Sequence, residues 1–276
     1  MIYDIERTSV VDGPGIRTTV FFKGCNLSCA WCHNPESQRA EAQLLYYRDR
    51  CIGCGACERV CANKLTSCSL CGACAAHCPQ GARELCGAAY TVDELMEEIL
   101  KDRDFYAATG GGVTFSGGEC MLQIDFLEQI LRACRAQGIH TAVDTAGYVP
   151  FARFARLLDC ADLFLYDVKC MDAERHKHYT GVDNSLILDN LARLLASGAA
   201  VWVRVPIIPT VNDEEREMLR IRAFLDSCAH PVQRVALLPY HEMGTQKYAA
   251  LGKEAAAFSP PSEELMARLR GVFACG

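Results

Sequence analysis

Six runs of apolar and β-branched residues punctuate the chain, and each is followed by a stretch whose apolar positions recur at helical spacing. The runs are Thr18–Lys23 (TTVFFK), Gly112–Ser116 (GVTFS), His140–Asp144 (HTAVD), Asp162–Lys169 (DLFLYDVK), Val201–Pro206 (VWVRVP) and Arg234–Pro239 (RVALLP). They read as strands. Helical patterns cover 92–108, 122–137, 151–159, 185–197, 213–228 and 262–273, with start signals at Asn212-Asp213 and Ser259-Pro260-Pro261. Strands that alternate with helices in this way predict parallel βαβ units. Six units fall short of the eight that close a barrel, so an open arrangement is expected.

Length and composition add limits rather than chemistry. At 276 residues the chain can bury one large core, as a single α/β barrel or as two domains. Its 50% hydrophobic and 22% charged residues are those of a soluble globular protein. A formal charge of -6 gives no electrostatic reason to expect nucleic acid or an anionic membrane surface as a partner. The opening, MIYDIERTSVVDGPGIR, has no basic region leading into an apolar one, and no run of about 18 uncharged apolar residues follows. Neither export nor a membrane span is expected, and a cytoplasmic setting is.

Cysteine changes the picture. Eighteen of them in a reducing compartment favour metal or catalytic roles over a disulfide framework. Three lie between 25 and 32, four between 51 and 61, and four between 68 and 78. The others, Cys86, Cys120, Cys134, Cys160, Cys170, Cys228 and Cys275, read mostly as small buried hydrophobes.

The middle runs, CIGCGACERVC and CSLCGACAAHCP, share the form C-x2-C-x2-C-x3-C, and the second ends in Cys78-Pro79. This spacing resembles the bacterial ferredoxin run for two [4Fe-4S] clusters, in which the fourth cysteine of each run ligates the other cluster. The resemblance implies Cys51, Cys54, Cys57 and Cys78 on one cluster, and Cys68, Cys71, Cys74 and Cys61 on the other. Gly53, Gly55, Ala56, Gly72 and Ala73 are small enough for the backbone to wrap a cube and point amides at sulfur. Ala62 stands where a proline often follows the fourth cysteine, a departure in the first run. A pair of four-cysteine zinc knuckles is the competing reading, although zinc sites favour separated ligand pairs.

The first group, GCNLSCAWCHNP, supplies only Cys25, Cys29 and Cys32, whereas a structural zinc site closes with four ligands. A cube held by three cysteines leaves one iron open to an exogenous ligand. C-x3-C-x2-C with an aromatic residue, Trp31, before its last cysteine resembles the signature of the radical S-adenosylmethionine superfamily. That resemblance implies that the open iron takes the amino and carboxylate groups of the methionine moiety. Cys29-Ala30-Trp31-Cys32-His33 also spells a haem c attachment site, a reading that leaves Cys25 unexplained.

In parallel β/α folds chemistry gathers at the carboxyl ends of the strands. The second run leads into Ser116-Gly117-Gly118-Glu119, the third ends in Asp144-Thr145-Ala146-Gly147, and the fourth in Asp167-Val168-Lys169. The first resembles the GGE motif of the superfamily; the other two, taken alone, would read as helix caps or salt bridges. In order along nearly the whole chain, SVVDGPGIRTTVFFKGC, TFSGGE, VDTAG, YDVK, VRVPIIPTVND and LLPYHEMGTQKY resemble a glycyl radical enzyme activating enzyme of the pyruvate formate-lyase activase type. Pyruvate formate-lyase activase itself lacks the ferredoxin-like runs. With them the chain is more similar to activases of glycyl radical dehydratases, lyases and decarboxylases.

The resemblance implies an α/β fold, an open six-unit (β/α)6 partial TIM barrel from residues 1–45 and 89–276, with a ferredoxin-like insertion at 46–88. It implies three [4Fe-4S] clusters and S-adenosylmethionine. Gly117, Gly118 and Glu119 would contact the methionyl amino end, and Asp144 and Lys169 would help hold its polar groups. Asp144, Thr145 and Asp167 would build a site for a monovalent cation, Na or K, beside the cosubstrate carboxylate. Arg204 and His241 match positions on the ribose and adenine side. Against these stand a structural ion pair for Arg204 and a structural imidazole for His241. His176 and His178 read as a solvated helix face or loop.

The same resemblance implies a mechanism. A low-potential reductant such as flavodoxin or ferredoxin passes an electron to the cluster at Cys25, Cys29 and Cys32, with the two inserted clusters as one route. The sulfonium carbon–sulfur bond breaks homolytically to methionine and a 5′-deoxyadenosyl radical, which takes a hydrogen from a glycine Cα of a partner glycyl radical enzyme. The protein supplies orientation and exclusion of solvent, and oxygen-sensitive clusters imply anaerobic use. Three other classes compete. A radical enzyme acting on a small molecule would share the three-cysteine loop and GGE without the DGPGIRTTVFFKGC opening. A ferredoxin-like carrier would leave the barrel unused, and a zinc-dependent interaction protein would hold no iron.

Overall fold

The computed structural model describes residues 1–274. Its strands are β1 (Ile2–Ser9), β2 (Arg17–Phe22), β3 (Gln43–Tyr46), β4 (Arg83–Cys86), β5 (Gly112–Gly117), β6 (His140–Thr145), β7 (Leu163–Asp167), β8 (Val201–Ile207) and β9 (Arg234–Pro239). Seven of them form one sheet in the order β1-β2-β5-β6-β7-β8-β9. β1 runs antiparallel to β2, and every later pair in that sheet is parallel. The six parallel strands are those the apolar runs predict, β7 being shorter at both ends. β1 is not predicted by those runs, because its residues alternate between covered and exposed, as an edge strand wetted on one face does.

The sheet does not close. β9 pairs with β8 and not with β1, leaving a seam flanked by Val10, Val11 and Gly13 on one side and by Arg234, Leu238 and Phe273 on the other.

Helices cover the outer face. Helix Ile124–Ala136 buries Leu127, Ile130, Leu131 and Cys134, the one-sided spacing that seats a helix on a sheet. Phe22 and Phe115 have no exposed surface and meet edge to face at 6.2 Å between ring centroids; burying each contributes about 2 kcal/mol. Helix Val92–Leu100 starts with a reciprocal cap, in which Thr91 and Glu94 bond each other's backbone amides.

Several helix expectations change. The pattern at 92–108 divides into Val92–Leu100 and Arg103–Thr109, because the Asp102 carboxylate turns inward to accept from Thr18 Oγ1 (2.6 Å) and Arg7 Nη1 (2.5 Å). The helix expected from 213 spans Glu215–Asp226 instead, since the Asn212 side chain is buried and bonds backward rather than capping it. Helices Ala173–Thr180 and Thr245–Ala250 are additional. On the first of these, His176 is buried rather than solvated: its Nδ1 lies 2.6 Å from the Val182 carbonyl. His178 is exposed as expected.

β3 and β4 pair antiparallel, from Gln43↔Cys86 to Tyr46↔Arg83, and bracket the cysteine-rich segment. Leu45, Tyr47 and Cys86 pack there with Ala250, Tyr3 and Leu251. Of the scattered cysteines, Cys86, Cys120, Cys134, Cys160 and Cys170 are buried and Cys228 is partly so; Cys275 lies outside the described residues. Among the described residues no helix is long and apolar enough to cross a membrane.

Candidate active site

The loop after β2 carries the first cysteine group and is fixed by backbone bonds to three distant segments. Gly24 N donates to Ser37 O (2.7 Å), Glu119 N donates to Gly24 O (2.8 Å), and Ser28 N and Ala30 N donate to Thr180 O and Tyr179 O (both 2.8 Å). Trp31 anchors the loop from behind, buried with Ile208, Val211 and Tyr240. Tyr248 Oη donates to the Cys32 carbonyl at 2.9 Å.

Cys25, Cys29 and Cys32 thereby face one cavity of about 450 Å³ at the carboxyl ends of the parallel strands. Trp31, Gly117, Gly118, Asp144, Thr145, Asp167, Lys169, Arg204 and His241 also line it. Burial raises the thiols, Cys25 to about 12 and Cys29 to about 11, so a metal centre has to displace their protons as it binds.

The glycines explain how the strand end reaches this loop. A Cβ on Gly118 would lie 2.2 Å from the Gly24 carbonyl oxygen, and one on Gly117, where φ is +121°, would lie 2.2 Å from Phe22 N. Only glycine permits that approach. Glu119 is placed differently from its neighbours: it is fully buried and absent from the cavity wall. Its carboxylate accepts from Thr145 Oγ1 (2.9 Å), Ala146 N (3.0 Å) and Met121 N (3.2 Å). Burial raises its pKa to about 7 against the pull of those bonds.

The far wall is an alternating set of charges. Arg204 donates to Asp144 through Nη2 and to Asp167 Oδ1 through Nε at 3.0 Å, and Lys169 Nζ reaches Asp167 Oδ2 at 2.7 Å. Arg204 is therefore both ion-paired and on the cavity wall. Lys169 lies above the usual lysine range because Asp167 and then the Cys29 thiolate outweigh burial. Burial pushes Asp167 up, but Arg204 and Lys169 hold it below its ordinary value. The oxygens expected to hold a cation are engaged within the chain: Thr145 with Glu119, Asp144 with Ser116 (2.6 Å) and Arg204, Asp167 with Arg204 and Lys169.

Asp12 and His33 also line the cavity, with no role assigned to them from the sequence. Asp12, in the DGPG turn, lines the wall 3.9 Å from Arg204 and is fixed by Ser9 and Thr19. A carboxylate in a turn between two paired strands was the available signal. His33 stacks on His241 with ring centroids 3.9 Å apart and planes 14° apart, and burial followed by the neighbouring His241 lowers it to about 4.

The eight insertion cysteines surround two separate hollows. Cys51, Cys54, Cys57 and Cys78 line one; Cys61, Cys68, Cys71 and Cys74 line the other. Backbone amides point at sulfur in both, from Ala82 to Cys78 (3.2 Å) and from Leu65 to Cys61 (3.3 Å). Among the described residues no three His, Cys, Asp or Glu side chains converge to hold a single metal ion. The first cysteine loop fits a cube with an attached cosubstrate instead: three soft donors on one wall, a Cβ-free strand edge beside them, and paired cations opposite.

Comparison with known proteins agrees with this geometry. The Radical SAM superfamily profile matches residues 19–221. The trans-4-hydroxy-L-proline dehydratase activating enzyme of Clostridioides difficile is 42% identical over 99% of this chain and 95% of its own. The (2S)-3-sulfopropanediol dehydratase activating enzyme of Klebsiella oxytoca is 41% identical over 91% of this chain and 85% of its own. A crystallised domain of pyruvate-formate lyase-activating enzyme from Bacteroides vulgatus superposes with a TM-score of 0.51 at 33% identity, covering 59% of this chain and 92% of that one. The chain belongs to the radical SAM superfamily, and within it to the glycyl radical enzyme activating enzymes.

Proposed function

We propose that this protein activates a partner glycyl radical enzyme, and that the cavity faced by its three cysteines serves both S-adenosylmethionine and the partner's glycine loop. The observation that carries this reading is the meeting of Cys25, Cys29 and Cys32 with the Gly117-Gly118 edge and the Asp144, Asp167, Lys169 and Arg204 set on that cavity. When bound, a three-cysteine [4Fe-4S] cluster and S-adenosylmethionine supply the 5′-deoxyadenosyl radical that takes the glycine Cα hydrogen.

The chain's own residues do the rest. Cys25, Cys29 and Cys32 would hold the cluster, supplying three of its ligands. Gly117 and Gly118 bring backbone close to the methionyl amino end, with Glu119 bracing the turn behind them. Lys169 and Arg204 offer positive charge to carboxylate and ribose oxygens, while Asp144 and Asp167 keep both cations aimed. Trp31, Ile208, Leu238 and Tyr240 keep water from the cavity wall, and the stacked His33–His241 pair offers a flat surface for adenine. A Na or K ion beside Asp144, Thr145 and Asp167 would require one of the carboxylates to release Arg204 or Lys169.

We read residues 46–88 as a ferredoxin-like insertion in a barrel of 1–45 and 89–276, with two further [4Fe-4S] clusters on its crossed cysteine sets. The two cysteine hollows support this. Electrons would enter from a low-potential carrier such as flavodoxin or ferredoxin, in an anaerobic cytoplasm.

Electron paramagnetic resonance tests the proposal. The anaerobically reconstituted, reduced protein, mixed with S-adenosylmethionine and glycyl radical enzymes of the same organism, should give a glycine-centred doublet that Cys29→Ala abolishes. Release of 5′-deoxyadenosine with no doublet from any such partner would favour a small-molecule substrate.

A further inference from the structure

Arg204 lies in the middle of β8 and Lys169 two residues beyond the end of β7, and the ladder between those strands stops at Arg204. Asp167 pairs with Arg204, and the Val168 amide donates to the Arg204 carbonyl at 2.9 Å. In this parallel register the next rung would run from the amide of residue 206 to the Val168 carbonyl. Residue 206 is proline, which has no N–H to give. β7 and β8 are therefore unlaced at the point where Lys169 leaves the sheet.

Asn212 spans that gap. It is fully buried, and its Nδ2 donates to the Lys169 carbonyl at 2.8 Å and to the Pro206 carbonyl at 2.6 Å, while its Oδ1 accepts from Ile208 N at 2.7 Å. Both amide hydrogens are used, one on each strand end. The next two residues of the turn are held in the same manner. Asn184 Nδ2 donates to the Cys170 carbonyl at 2.8 Å, and the Glu217 carboxylate accepts from Met171 N. Asn184 and Glu217 are also buried.

We propose that Asn212 is a positioning residue for S-adenosylmethionine binding, a side-chain rung that replaces the one Pro206 cannot make. By tying the two strand ends it keeps Lys169 and Arg204 at the separation where they share Asp167, at 2.7 and 3.0 Å. A shift of the Lys169 backbone passes to that carboxylate and so to Arg204, because a buried polar network has no solvent to absorb it. The inference rests on the proposed function only in taking S-adenosylmethionine as the cavity's ligand.

The test is equilibrium binding of S-adenosylmethionine to the anaerobically reconstituted full chain, with iron content and Tm recorded on the same samples. Asn212→Ala is expected to bind about tenfold more weakly with iron content unchanged. The double variant Pro206→Ala/Asn212→Ala should recover most of that loss, since residue 206 then supplies the missing amide. A merely structural role would lower Tm and leave the affinity of the folded protein as it was. Affinity of Asn212→Ala within about twofold of the parent overturns the inference, as does a double variant that binds no better than the single one. If Asn212→Ala does not fold, Asn212→Asp carries the same expectation, because it keeps the acceptor for Ile208 and loses both donors. A parent protein that binds no S-adenosylmethionine refutes the proposed function and this inference together; binding by the parent with no loss in the variants refutes the inference alone.

Discussion

The Glu119 carboxylate accepts the Thr145 hydroxyl at 2.9 Å, behind the glycines that face the cavity. The two residues brace the ends of β5 and β6 against each other. Glu119→Ala would orphan that hydroxyl and the Met121 and Ala146 amides, at a cost of about 3 kcal/mol. Urea unfolding of the anaerobic protein measures it; a variant as stable as the parent would assign Glu119 no bracing role.

Gly118→Ala tests the close approach. Its Cβ would meet the Gly24 carbonyl at 2.2 Å and the Ser37 carbonyl at 3.0 Å, and both are backbone atoms that cannot swing aside. The loop carrying Cys25 must move, so iron bound by Cys25, Cys29 and Cys32 should fall and stability should drop by about 2–4 kcal/mol.

Arg204→Ala would leave Asp144 and Asp167 buried beside each other without the cation they share. The expected loss is about 3–5 kcal/mol of stability, together with loss of 5′-deoxyadenosine formation. Arg204→Lys cannot reach both carboxylates in a fork and should fall between the parent and the alanine variant.

Stability should fall on mild acidification. His140 and His176 both lie below the ordinary histidine range, chiefly through burial, with Arg17 adding to the effect at His140 and Lys169 at His176. The unfolded chain takes up these protons as pH falls through about 6.5, and the folded chain only at lower pH. Their contribution is complete above that value and is lost on the way down. Urea midpoints between about pH 7 and pH 5 should decline, and His176→Gln should flatten the slope.

Metal content separates the cluster readings. The anaerobically reconstituted chain should hold about 12 iron atoms, falling to about 8 when Cys51, Cys54, Cys57 and Cys78 are replaced together. Zinc in place of iron, or one hollow staying filled after its four cysteines are gone, would remove the two-cluster reading of the insertion.

Much of this was legible in the residues because burial leaves a plain record. The six parallel strands are covered by helices and so are written as apolar runs, and the cysteine groups announce themselves by spacing. β1 left a weaker trace: Tyr3, Ile5 and Arg7 alternate with Asp4, Glu6 and Thr8, and only half of such a strand needs to be apolar. Helix Ala173–Thr180, AERHKHYT, is rich in charge and hides one buried histidine among exposed neighbours. Asp12 and Glu119 show the harder limit. Their identities were visible in recognisable motifs, but which way each carboxylate points depends on groups that another strand brings in, Thr19 of β2 against Asp12 and Ala146, just past β6, against Glu119.

The seam between β1 and β9 gives the enzyme a degree of freedom that a closed cylinder lacks. In a complete ring, widening one wall strains every rung around the circumference. Here Val10 and Val11 face Leu238 and Phe273 with no ladder between them, so the two margins can part without breaking a single sheet hydrogen bond. Val11 and Leu238 line both this gap and the cavity of the three cysteines, so the unlaced margin of the sheet is also a margin of the site.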